Sequence, residues 1–246
     1  MRHGLKRPGP GQFACQAGRG EVRRGCVTPE APDPLPLEAG LALAWCAPKV
    51  RAPLSIALQL DRRLARIVGR TQEPMLGQMR LAWWRDALGK PVADRPRGDA
   101  VLDGIGQHWQ GREAFLVPMV DGWEVLVTAQ SLGAAEAEAF GTGRGAFFAG
   151  LADDLADAAI AARVAAAGRC WALADAAAGV SDPGECAALV AAGLAARPTA
   201  GRIPRTLRGL AVLEALAARS LARGGRPLME GRGASLAALR AAIFRA

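Results

Sequence analysis

From Leu37 onward, apolar and polar positions recur at a helical period, and glycines and prolines cut that pattern into segments. Residues 38–46 form a short apolar stretch that stops near Pro48. Pro53 stands where a first-turn proline opens a helix, and the pattern carries that helix to about Gly69. Leu54, Leu58, Leu60, Leu64, Ile67 and Val68 suit its inner face, and Asp61, Arg62, Arg63 and Arg66 its outer one. Pro74 opens the next helix, with Leu76, Met79, Ala82, Trp83 and Ala87 as the expected stripe until Gly89 and Pro91 end it. After a loop over 94–99, the spacing predicts helices over 99–110, 112–131, 133–160, 162–178, 183–196, 203–223 and 234–245. Breakers at Gly179, Pro183, Pro198, Gly201, Pro204, Gly224 and Pro227 separate most of them. No fixed-period repeat marks a solenoid.

Composition turns this pattern into a fold class. The chain has 246 residues, half of them apolar, with no tyrosine and few β-branched runs, so helix propensity is high nearly everywhere. An all-α domain over 37–246 is expected, large enough to bury its own core. Residues 1–36 are rich in Gly, Pro and Arg and are expected to be a disordered basic tail. That composition fits a transit peptide, an RNA-binding arm or a start assigned too early; the last is the reading taken, with Val27 as the initiator.

Charge narrows the partners. Six cations against two acids in residues 1–30 supply half of the net +8, and the remaining arginines are spread singly along helices. Such spreading reads as solvated faces rather than a nucleic-acid footprint, so no nucleic-acid partner is expected. Cys15, Cys26, Cys46, Cys170 and Cys186 show no C-x-x-C spacing, and only His3 and His108 could join them at a metal. Reduced thiols in a cytoplasmic protein are expected. No window of eighteen uninterrupted apolar residues suggests a membrane span. Gly141-x-Gly143-x-Gly145 follows no strand and is not a dinucleotide fingerprint.

Two motifs carry a resemblance. Arg80-Leu81-Ala82-Trp83-Trp84-Arg85-Asp86 is followed downstream by Val120-Asp121-Gly122-Trp123-Glu124, and Phe140-Gly141-Thr142-Gly143-Arg144-Gly145 comes after them. In this order the chain resembles the squalene/phytoene synthase family from about Leu37 to Leu221. The resemblance implies the isoprenoid synthase fold, an antiparallel helical bundle around a central cavity. Active members carry two pairs of aspartates four residues apart, which hold a prenyl diphosphate through Mg²⁺; an i, i+4 pair puts both carboxylates on one helix face.

This chain departs from that pattern. Only Asp61 stands at the first pair, with Ala65 at its i+4 position, and only Asp175 at the second. Asp182 lies beyond Gly179 in an expected turn, and Gly201-Arg202-Ile203-Pro204 is a faint echo of a further family segment. Asp153-Asp154-Leu155-Ala156-Asp157 has the look of a diphosphate motif but falls one helix too early. By resemblance, Asp61 and Asp175 are the candidate catalytic residues and Mg²⁺ ligands, and Arg80, Arg85, Asp121 and Arg144 the candidate substrate-binding residues. Each arginine has a competing reading: Arg80 and Arg85 would pair with Glu73 or Asp86, and Arg144 with a carboxylate of the opposite helix. Trp83 and Trp84 point about 100° apart on a helix, so one of them is core.

The resemblance also extends to a divergent branch, similar to a mitochondrial respiratory complex I assembly factor, that keeps the Trp-Trp helix without the aspartate pairs. The expected role is therefore a non-catalytic, ligand-binding or assembly-type one, with a prenyl diphosphate or other lipid-like ligand or a respiratory-complex partner. The alternative is an active Mg²⁺-dependent transferase joining two prenyl diphosphates. Arg205, Arg208, Arg219 and Arg223 flank apolar helix faces that could sit on a membrane.

Overall fold

The computed structural model describes residues 34–71, 73–152, 157–197 and 201–244. Among these the chain is all helical, with no strand. The long helices are α1 (Leu37–Trp45), α2 (Pro48–Arg70), α3 (Pro74–Gly89), α4 (Ala100–His108), α5 (Val117–Thr128) and α6 (Ala134–Gly145). A short α7 (Phe147–Leu151) precedes α8 (Ala158–Gly179), α9 (Pro183–Ala195), α10 (Arg208–Leu221) and α11 (Gly233–Phe244). Of the basic tail only residues 34–36 are described; the rest, and Asp153 and Asp154, lie outside the described residues.

Packing runs from α3 through α5, α6 and α8 to α10 and α11, with α2 laid across α4 and α5 and α1 against α10. Every residue of α10 from Gly209 to Ala217 is buried and all but Glu214 lack a polar side chain, which marks it as a central core helix. Its one buried carboxylate, Glu214, accepts from Arg163 at 2.6 Å. Backbone meets backbone at α6. A Cβ on Gly143 would stand 2.5 Å from the Pro118 carbonyl of α5, and one on Gly145 would stand 2.6 Å from the Arg169 amide of α8. These glycines set how deeply α6 is buried between its two neighbours.

Several sequence expectations need correction. The helix expected to open at Pro53 is α2, which starts at Pro48, its first helical position, and runs through Pro53. Pro53 removes one ladder bond, while its carbonyl accepts the Trp109 indole N–H at 2.8 Å. The expected helix over 133–160 ends at Gly145, because Phe147 and Phe148 both turn into the core, stacked at 4.1 Å, and Asp157 then caps α8. Pro118 lies in the first turn of α5 rather than inside a longer helix.

The predicted stripe of α3 keeps Ala87 inside but is otherwise turned away from the core. Gly77, Leu81, Trp84, Ala87 and Leu88 face the core, while Met75, Leu76, Met79 and Trp83 are exposed. The helix carries two apolar stripes, and period alone cannot say which one turns inward. Small Gly77, seated against Val127 of α5, decides it. Trp84 is the core tryptophan, and Trp83 meets it edge to face at 5.1 Å.

Candidate functional site

Asp61 was expected on the solvated face of α2, and this is wrong: it is 2 % exposed. Leu54, Ala57, Leu58 and Leu64 surround its helical position, so the carboxylate sits in the middle of the buried stripe. Arg144 occupies the same kind of place on α6, between buried Ala137, Phe140 and Gly141, and is 3 % exposed. Asp175 lies one turn beyond buried Trp171 on α8.

These three groups meet. Arg144 donates to Asp61 through both edges of a fork, Nε to Oδ1 at 2.8 Å and Nη2 to Oδ2 at 2.7 Å. Nη2 also donates to Asp175 Oδ2 at 2.6 Å, and Nη1 to the Ala172 carbonyl at 3.1 Å. The Trp123 indole N–H completes Asp61 by donating to Oδ1 at 2.8 Å. Around the guanidinium stand the rings of Trp171, Trp123 and Phe140, whose centroids lie 4.7, 5.0 and 5.7 Å from its central carbon.

Burial alone would lower the pKa of Arg144, but the charges of Asp61 and then Asp175 outweigh it and hold the guanidinium above the ordinary arginine range. It is therefore a permanent cation. Glu38 of α1 comes to the rim of the cluster, where burial first and the Asp175 charge after it push its carboxyl above the ordinary 4.5. The remaining void, lined by Glu38, Asp61, Arg62, Arg144, Trp171 and Asp175, is about 20 Å³. That is room for about one water molecule.

The residues present do not fit a Mg²⁺ ion. Such an ion needs an octahedron of oxygens, yet both oxygens of Asp61 are taken up by Arg144 and Trp123. The only other carboxylate of the cluster that touches Arg144, Asp175, is held by the same cation. Among the described residues no three His, Cys, Asp or Glu side chains converge as a metal site. Chemically, the arrangement ties four helices to one fixed charge.

Arg80, Arg85 and Asp121 do not join this centre. Arg85 reaches across from α3 to α5, donating to Asp121 at 2.8 Å and also to Glu124, rather than pairing with Asp86. Burial of its charge is slight, and the bonds it donates to Glu124 and then Asp121 raise its pKa. Arg80 is exposed and donates to the Thr71 hydroxyl at 3.1 Å. Asp157 and Asp182 are helix caps, accepting from the Ala159 and Glu185 amides. Arg219 is spent on the Glu230 carbonyl at 2.8 Å, and Arg223 pairs with the Glu230 carboxylate at 3.5 Å, which weakens the membrane face expected there.

Sequence reasoning missed Trp123, Phe140, Trp171 and Glu38 as members of the centre. One signal was available: a charged residue in mid-stripe on an otherwise apolar helix face needs a buried partner, and both α2 and α6 carry one. Compared with known proteins, this chain matches no family model, no curated protein and no solved structure.

Proposed function

We propose that this is a squalene/phytoene-synthase-like helical protein that does not condense prenyl diphosphates and acts instead as a binding or assembly protein. One observation carries the reading: Arg144 occupies the space between the two surviving aspartates, taking both oxygens of Asp61 and one of Asp175. A ligand pocket of ordinary size is about 300–1,000 Å³, against about 20 Å³ here. The fixed cation would repel Mg²⁺ where a diphosphate site requires it. A role in assembling a larger complex, by analogy with the divergent branch of the family, needs the scaffold and not the metal.

The test is isothermal titration of a farnesyl or geranylgeranyl diphosphate analogue, with and without Mg²⁺, followed by a product assay. No heat in either condition is the expected result and turns the search to protein partners. Magnesium-dependent binding together with a condensed product would overturn the proposal and restore the transferase alternative.

A further inference from the structure

The exposed face of α3 has no role in the centre described above. Met75, Met79 and Trp83 follow one another at i, i+4 spacing and are 72 %, 63 % and 44 % exposed, with Leu76 beside them. Burying these side chains would be favourable, and a soluble monomer rarely leaves so continuous an apolar stripe open.

Alongside runs a second stripe, of opposite character. Arg62, Arg66 and Arg70 recur at i, i+4 spacing on the adjoining half of α2 and line one groove. Arg66, Arg70, Arg80 and Trp83 line the next, a shallow trough of about 390 Å³ between α2 and α3. The trough's one acid, Asp99, is held by Arg63 at 2.9 Å. Asp86 on α3 and Glu73 just before it are exposed acids. Against them stand the exposed Arg62, Arg70 and Arg80, so the balance of this surface is positive.

Apolar stripe and cationic stripe together specify the occupant. A second copy of this chain docked through the same face would bring arginine against arginine, since a twofold interface meets itself. Residues 1–33 are basic and would be repelled in the same way. An anionic bilayer satisfies both halves, because arginines reach lipid phosphates while methionine and tryptophan enter the interfacial layer. We infer that the α2–α3 face docks the protein on an anionic lipid surface, with Met75, Met79 and Trp83 inserted and Arg62, Arg70 and Arg80 on the headgroups. This rests on α2 and α3 alone and stands or falls apart from the reading of the centre.

Co-sedimentation of the full chain with phosphatidylcholine vesicles, with and without phosphatidylglycerol, tests it. The expected result is binding only to the anionic vesicles. Arg70→Gln with Arg80→Gln should weaken that binding about thirtyfold, at the usual contribution of a basic residue near a charged surface. Met79→Ser with Trp83→Ser should abolish it at low salt, with helical circular dichroism unchanged because both side chains are exposed. All these variants keep the basic N-terminal residues, so binding that both double variants retain undiminished comes from elsewhere in the chain and overturns the inference. Failure of the unaltered chain to bind anionic vesicles, or equal binding to neutral ones, overturns it as well. So does a dimer in solution that the Met79→Ser, Trp83→Ser variant dissolves without any vesicle binding.

Discussion

Arg144 is the residue on which the centre turns. Two carboxylates, an indole donor and three ring faces surround the guanidinium, which is almost wholly buried. Arg144→Ala strands Asp61 in the core with a single indole donor, and losing one partner of a buried pair costs about 3–5 kcal/mol. Joint replacement, Arg144→Met with Asp61→Leu, should cost much less than the two single changes together. Chemical denaturation of the four proteins checks this, and additive losses would show that the pair is not coupled. Glu38 makes a second prediction. With its native pKa above the ordinary 4.5, the folded state holds more protons than the unfolded chain across that interval, so stability falls as pH rises through it. Glu38→Gln should remove the fall and raise Tm near neutral pH while leaving acid stability unchanged. An equal pH slope in variant and parent would refute it. Asp61, Asp175 and Arg144 were legible in the chain as isolated charges, and the alternative that Arg144 seeks a carboxylate of an opposite helix is what the geometry has. Trp123 was not legible as a partner, because an indole that donates one bond looks the same in sequence as one that only fills space.

Among elements, α6 is positioned by what it lacks. Gly143 and Gly145 admit the backbones of α5 and α8, and that close approach points Arg144 between α2 and α8. Gly143→Ala forces a methyl against a backbone carbonyl that has no rotamer to yield, so α6 must shift. Overpacking of this kind costs about 1–3 kcal/mol, and thermal melting should register it; an unchanged Tm would show that α5 and α6 separate freely. The helices themselves were readable from proline and glycine punctuation, and most elements begin or end within a few residues of expectation. What periodicity could not supply was rotation. On α3 two apolar stripes compete, and the choice between them depends on Gly77 meeting Val127, a contact between residues fifty apart in the chain. On α2 the same ambiguity placed Asp61 outside, since a stripe centred on Leu60 and one centred on Asp61 differ by a single position.

For the molecule as a whole, the centre and the α2–α3 face divide the labour of one helix. The arginines of α2 look outward at Arg62, Arg66 and Arg70, while its aspartate looks inward to the bundle. No described helix is long and apolar enough to cross a membrane. The all-helical class was fully legible, because it needs only composition and period. The small size of the void beside Arg144 was not, since the volume left there depends on how side chains from four distant segments fill one point. The guanidinium at that point has a consequence for the history open to this chain. A positive charge carried on the polypeptide is delivered with synthesis, one to each molecule, and no chelator can strip it nor any ion exchange with it. A metal-dependent centre at this point would therefore require losing the arginine and gaining further carboxylates together. Either step alone leaves unbalanced charge in the core, so a path to such a centre runs through chains that fold poorly.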